Sequence, residues 1–203
     1  NHSFTHNRKI SKQCKKILEG KNIERYSLTF GGNWIEYGEW LAEPRKPELF
    51  EGERILLRRI VGKGYLISTF INDNYCNNSL LHTVKLFSSD FKTKFVLAIL
   101  NSKMMGRYFI MRYARDEKTF PEIRVHELES LPIKKSINQQ PFISIVDRIL
   151  TLKETNPKAD TSELENRIDI MVYKLYELTY EEVKIIDPAF TLTESEYDNF
   201  KIE

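Results

Sequence analysis

Cysteine is scarce: Cys14 and Cys76 are the two in 203 residues. Two thiols cannot make a disulfide scaffold, and they point to a reducing, cytoplasmic setting. No stretch approaches the roughly 18 consecutive apolar residues of a membrane span. The first 16 residues are polar and basic and lack the apolar centre of a secretion signal. Asn, not Met, stands at position 1, so the chain reads as a piece of a longer product. Asn77-Asn78-Ser79 spells a glycosylation sequon, which has no meaning without secretion.

The parts of most active sites are missing too. There is no G-x-G-x-x-G and no phosphate loop; Gly62-Lys63-Gly64 is too short and lacks the Ser or Thr that follows. The four histidines are scattered. His2 and His6 are four apart in a tail without a Cys or acidic ligand at zinc-like spacing, and His82 and His126 read as ordinary polar positions. Glu36, Glu39, Glu43, Glu48, Glu51 and Glu53 crowd one region. A metal-dependent nuclease wants an acid followed by acid-x-Lys, whereas Glu51-Gly52-Glu53-Arg54 offers Arg, so these are read as solvated loop charges. No Asn/Asp-Pro-Pro-aromatic segment, with which amino-methyltransferases hold a flipped base, occurs, and no Ser or Cys has a base at hand. Neither a catalytic residue nor a metal ligand is expected.

What is present is an uneven charge. Residues 1–135 hold 24 Lys and Arg against 15 Asp and Glu, a balance of +9; residues 136–203 hold 7 against 14, a balance of −7. The division suggests a basic body over 1–135 that can meet a polyanion and an acidic helical segment over 136–203 packed on it. The expected fold class is α+β: a mixed β-sheet body, a buried bracing helix and a helical C-terminal segment. Residues 8–18 are expected to begin a short helix ending near Gly20, and 26–30 favour a strand that Gly31-Gly32 breaks. Residues 41–47 read as a loop. The β-branched run 54–61, the turn at 62–64 and the run 65–71 predict a hairpin, with a third strand over 80–87.

Residues 92–113 are apolar on nearly every face and predict one buried helix, in which Ser102 and Gly106, small and four apart, suit close packing. Residues 120–133, with Pro121 and Pro132, predict an extended segment with a turn at 127–130. Phe142, Ile145, Val146, Ile149 and Leu152 form one helical stripe; Leu164, Ile168, Met171, Leu175 and Leu178 form another. Asp160 with Glu163, and Thr179 with Glu182, mark helix starts, Pro188 a stop, and residues 191–203 a fraying helix.

One polar constellation stands out on the β body. Arg58 and Arg59 are adjacent on a strand and so point to opposite faces. Lys63 sits between glycines at the hairpin tip. Asn72, Asn74, Asn77 and Asn78 cluster in the following loop. Asn pairs bidentately with adenine and Arg with guanine in the major groove, and Lys21 and Arg25 could reach phosphates. Ordinary turn chemistry accounts equally for an Asn-rich loop, and a protein-interaction module without DNA contact is the alternative reading of the whole.

The segment Lys15-Lys16-Ile17-Leu18-Glu19-Gly20-Lys21-Asn22-Ile23-Glu24-Arg25-Tyr26 resembles the L-x-G-K-D-I-x-R-Y opening of the TaqI-like C-terminal specificity domain. In the family's order follow Arg45-Lys46-Pro47-Glu48-Leu49-Phe50 with Glu53-Arg54-Ile55-Leu56-Leu57-Arg58, then Asn78-Ser79-Leu80, then Leu97-Ala98-Ile99-Leu100-Asn101-Ser102-Lys103. Phe120-Pro121-Glu122-Ile123-Arg124-Val125 with Leu131-Pro132-Ile133, and Ile168-Asp169 through Leu175-Tyr176-Glu177-Leu178-Thr179, complete the series over residues 15–187. Glu19 stands where a basic residue is common and Arg54 where Lys is usual. The resemblance implies the recognition part of type IIG restriction enzymes and related N6-adenine methyltransferases, including phage-defence methylases. Its implied partners are double-stranded DNA and the catalytic domain of the same parent chain, with no membrane. S-adenosylmethionine, and Mg²⁺ where the parent cleaves, would be bound by that other domain; no cofactor is implied for this segment.

Overall fold

The computed structural model describes residues 4–62, 64–113 and 121–202. Lys63, Phe120 and His2 lie outside the described residues. The strands are β1 (Thr5–His6), β2 (Cys14–Leu18), β3 (Ile23–Glu24), β4 (Ser27–Leu28), β5 (Trp34–Glu36), β6 (Arg54–Arg58), β7 (Ser68–Ile71), β8 (Cys76–Asn77) and β9 (Leu81–Val84). The helices are α1 (Thr93–Leu100), α2 (Lys103–Arg112), α3 (Val125–Glu129), α4 (Gln140–Thr155), α5 (Ser162–Leu175), α6 (Tyr180–Ile186) and α7 (Glu194–Asn199). The architecture is α+β, as the sequence suggests. One sheet runs β1-β5-β2-β8, another β7-β6-β9, and β3 and β4 form a two-stranded ribbon.

The hairpin read from the β-branched runs is present. β6 and β7 pair antiparallel from Arg54↔Ile71 to Leu57↔Ser68, and a Gly62↔Tyr65 bridge narrows the turn. β9 lies on the other side of β6, with Leu57 opposite His82. β6 is therefore central, and Ile55, Leu56 and Leu57 are fully buried on both faces, which explains its unbroken apolar run.

The helix expected over 8–18 is not there. Residues 14–18 form β2, paired antiparallel with β5 (Lys16↔Trp34) and parallel with β8 (Ile17↔Cys76). Two flanking strands satisfy its backbone groups, and this pairing outweighs the modest helix propensity of Lys and Leu. The single helix expected over 92–113 is two. Asn101 ends α1, and Ser102, extended at ψ 152°, caps α2 by accepting from Met105 N at 3.2 Å. Short polar side chains that bond the backbone make such breaks. The expected turn at 127–130 is the end of the short helix α3, which Glu127 caps through its bond from Arg124 N.

In the tail, Phe142, Ile145, Val146 and Ile149 are buried but Leu152 is exposed, so the stripe of α4 stops one turn early. α5 starts one residue later than Asp160 suggests: Thr161 is the cap residue, and Asp160 accepts from Ser162 N. The Thr179–Glu182 capping box is formed. The last segment is not frayed. α7 has its own Thr193–Glu196 capping box, and the buried Tyr197 donates to Leu178 O at 2.7 Å. One apolar core runs from Ile55 and Leu57 through α1 and α2 into α4, α5 and α6. Phe95 and Phe142 meet edge to face at 5.1 Å across α1 and α4. Among the described residues no helix is long and apolar enough to cross a membrane.

Two positions set how the body is braced. Gly106 of α2 is packed against the hairpin turn: a Cβ there would lie 2.1 Å from Gly64 O and 2.8 Å from Tyr65 Cα. Gly64 is itself at φ +74°, so the turn has little freedom to retreat. Arg54 is fully buried. Its guanidinium donates to Gly52 O (2.9 Å), Asp73 O (2.7 Å) and Tyr75 O (3.0 Å), tying the loop after β7 to the base of β6.

Gly106→Ala is therefore expected to cost about 1–3 kcal/mol through overpacking against backbone, where Ala in an open helix would stabilise; a denaturation midpoint at or above wild type would refute this packing. Arg54→Met is expected to cost about 2–4 kcal/mol, since three carbonyls lose their donor. Hydrogen exchange in residues 72–75 should then quicken, and slow exchange retained there would show that the loop does not depend on Arg54.

Candidate nucleic-acid interface

The residues singled out from sequence occupy different environments. Lys21 lies in a short 3₁₀ turn (Gly20–Asn22), exposed, with its ammonium 2.8 Å from Glu19. Arg58 lies 3.8 Å from Glu24, and Arg59 makes a 2.9 Å pair with Glu122 on the other side of the strand end. These are solvent-facing pairs, which contribute little to stability and are easily exchanged. Lys63 lies outside the described residues.

Arg25 turns inward instead. It donates to Asn101 O at 2.8 Å, pairs with Glu165 at 3.0 Å, and lies 4.5 Å from the centre of the Tyr65 ring. Its three partners come from the α1–α2 junction, α5 and the hairpin turn, so it joins the sheet body to the tail. A side chain so engaged is not free to follow a phosphate.

The four asparagines also divide. Asn72 and Asn74 are exposed, with no side-chain hydrogen bond among the described residues. Asn77 is engaged at both ends of its carboxamide, donating to Leu81 O and accepting from Thr83 Oγ1, each at 3.0 Å. Asn78 accepts from Leu80 N at 3.1 Å within its own turn. Asn77 and Asn78 thus shape the β8–β9 connection, while Asn72 and Asn74 project from the loop that Arg54 holds. Asn in a pinned, exposed loop can present both donor and acceptor to a base edge.

A second surface has no counterpart among those candidates. Lys16 of β2 carries its ammonium 5.1 Å from the centre of Phe30, 5.2 Å from Tyr75 and 6.0 Å from Trp34. Lys9 lies 5.9 Å from Trp34. Lys15, on the opposite face of the strand, lies 5.2 Å from Tyr37. The run Arg8-Lys9-Ile10-Ser11-Lys12-Gln13-Cys14-Lys15-Lys16 contains five cations and no acid. That composition was a legible signal; the convergence of three rings from distant parts of the chain was not.

Beneath β2, β5 and β8 opens an apolar groove of about 810 Å³, lined by Ile17, Tyr37, Phe50, Leu81 and Val84 and bordered by the exposed Phe87. Cys76 faces it, but burial pushes that thiol up to about 11, so it stays a neutral, unreactive thiol near pH 7. His82 in the same wall is engaged with Ile123 O at 2.8 Å. No cluster of three or more His, Cys, Asp or Glu able to hold a metal ion occurs among the described residues.

Comparisons with known proteins bear on the fold and the family. A solved structure of the type IIL restriction-modification enzyme MmeI in complex with DNA superposes with a TM-score of 0.56 over 92% of this chain at 10% identity. The match covers 30% of that enzyme's chain, so the present chain spans less than a third of its length. At such identity the likeness is one of fold. No curated protein matches the chain. The family model of the TaqI-like C-terminal specificity domain matches residues 15–133, from β2 to the segment after α3, and leaves α4–α7 outside, so it takes in five of the six motif segments and not Ile168-Asp169 through Thr179. With more than half of its length so matched, the chain belongs to the TaqI-like C-terminal specificity domain family.

Proposed function

We propose that this chain is the DNA target-recognition domain of a restriction-modification enzyme and that the chemistry on the DNA belongs to domains outside it. The specificity-domain match over residues 15–133 carries the reading. The +9 balance of residues 1–135 supports it, because a body meeting a polyanion gains from releasing its counterions. So does the likeness in fold to an enzyme solved with DNA bound.

In this reading Asn72 and Asn74 are the base-reading side chains, on a loop made rigid by Arg54. Lys21, Arg58, Arg59 and Lys63 meet phosphates or a guanine edge. The partners of Lys21, Arg58 and Arg59, namely Glu19, Glu24 and Glu122, hold them weakly enough at the surface for a phosphate to take their place. Arg25, Asn77 and Asn78 position these groups and do not touch DNA. The acidic segment 136–203 faces away from the duplex, braced on α1 and α2. Recognition places an adenine for flipping into the pocket of a methyltransferase domain of the same parent, which binds S-adenosylmethionine. Where the parent also cleaves, a nuclease domain and Mg²⁺ act at a site set by this domain. Such a protein works in the cytoplasm, in defence against phage DNA.

Duplex DNA titrated at two salt concentrations tests the reading. Affinity is expected to fall steeply with salt; absent binding at low salt, or binding indifferent to salt, favours a protein-interaction module instead. Selection of bound sequences from a random pool should yield a preferred site. Asn72→Ala with Asn74→Ala should relax one or two positions of it, at about 1–3 kcal/mol for each base that is no longer read. An unchanged preference would remove these two residues from base reading.

A further inference from the structure

Two sets of cations in the basic body differ in their partners. Lys21, Arg25, Arg45, Arg58 and Arg59 each have a carboxylate within 4.0 Å. Lys9, Lys12, Lys15 and Lys16 have none among the described residues, although they lie within one short stretch. Like charges so close repel one another. Glu36, two residues along β5 from Trp34, accepts from Ser11 Oγ at 3.2 Å and lies 3.6 Å from His6.

The rings beside these lysines are placed by three separate devices. Trp34 is opposite Lys16 in the β2–β5 register. Phe30 follows the β3–β4 ribbon, where Asn22 donates from its side chain to Thr29 O at 3.0 Å and accepts at its backbone carbonyl from Thr29 N at 2.8 Å. Tyr75 is held through its carbonyl by Arg54. Phe30 packs edge-on to Trp34 at 6.0 Å and tilted to Tyr75 at 5.7 Å. Trp34 and Tyr75 are half-buried, and Phe30 lies beside them, so the cluster keeps surface toward solvent beside an ammonium. Tyr75 directly follows Asn74 and donates from its backbone to Asp73 O at 2.9 Å, so this face adjoins the exposed loop.

We propose that this face of β2 and β5 is a docking surface for a strand of duplex DNA: Lys9 and Lys16 neutralise its phosphates, while Trp34, flanked by Phe30 and Tyr75, packs against deoxyribose and base edges. The proposal rests on the DNA-recognition reading and adds a contact surface to it. Cations without a carboxylate partner release counterions on meeting phosphate without first losing an internal ion pair. Fixed aromatic faces offer apolar contact to sugar and base with little ordering cost. Lys16 cannot swing far from its strand, so the phosphate it meets sets the register of the adjoining Asn72–Asn74 loop on the bases.

The chain has two tryptophans, Trp34 and Trp40, so a Trp40→Phe variant reports on Trp34 alone. In that background duplex DNA is expected to change the emission of Trp34 with the same midpoint as the anisotropy of labelled DNA. Lys9→Gln with Lys16→Gln is expected to weaken binding tenfold or more and to lower the slope of log affinity against log salt by about two, near 0.9 per phosphate. Lys15→Gln, on the opposite face, should stay within twofold of wild type, and Lys16→Arg should retain binding; circular dichroism checks that each variant is folded. If DNA binds while Trp34 emission is unmoved or the double variant matches wild type, this surface assignment is wrong and the recognition role stands. If no duplex binds at low salt, both fall.

Discussion

At the junction of α1 and α2 the carboxamide of Asn101, fully buried, closes a ring with the backbone of Ser68: it accepts from Ser68 N at 3.0 Å and donates to Ser68 O at 2.9 Å. Ser68 Oγ donates to the same Asn101 oxygen at 2.8 Å. Buried polar groups are costly unless wholly satisfied, and this one is satisfied only if the helix break sits against β7 at that register. The bond therefore fixes where the helices cross the sheet. It also turns Asn101 O toward Arg25, which reaches on to Glu165 of α5.

The next two residues extend the junction into the tail. Ser102 caps α2. Lys103 opens that helix and donates outward: its backbone N–H goes to Asp169 at 2.8 Å, and its ammonium to Asp187 at 2.8 Å. Burial pushes the Asp169 carboxyl up to about 6. Three consecutive residues thus hold β7, α5 and the end of α6 together. With Gly106 seated against the hairpin turn and Arg54 holding the loop after β7, the body becomes a stiff frame from which short loops project, the condition a recognition loop needs.

This explains what could be read from sequence. The motif segments that carry the family resemblance contain these clamps: Arg25 in the opening segment, Arg54 at the start of the hairpin, Asn101-Ser102-Lys103, and Asp169. They mark a frame, so the family is legible. The departure at Arg54 is a structural matter, since its planar fork reaches three carbonyls where Lys would offer a single ammonium. The hairpin was legible because β6 is buried on both faces. The break at 101–102 was not, because the apolar pattern continues through it and only the short polar pair marks it. Residues 8–18 misled because strand formation there depends on β5 and β8, which are distant in sequence. Arg25, Asn77 and Asn78 are singled out by residue type, and the partners that each has within the fold are not revealed by spacing.

The distribution of ion pairs gives the surface a further logic. A cation paired to a surface carboxylate can exchange that partner for a phosphate with small net gain, so on the proposed role Arg58 and Arg59 would discriminate by geometry more than they attract. A cation with no carboxylate partner would add a larger electrostatic term wherever a phosphate came within reach, whatever the sequence beside it. Arg58 and Arg59 beside the hairpin are of the first kind, and Lys9 and Lys16 beside the rings are of the second. On the proposed DNA-recognition role, this arrangement would separate holding the duplex from reading it: the face of β2 would supply affinity that is blind to bases, and the loop at 72–74 would contribute only the difference between one base pair and another. The loop could then change its side chains without loss of grip, because Arg54 holds it through the backbone carbonyls of Asp73 and Tyr75 and not through the side chains at its tip.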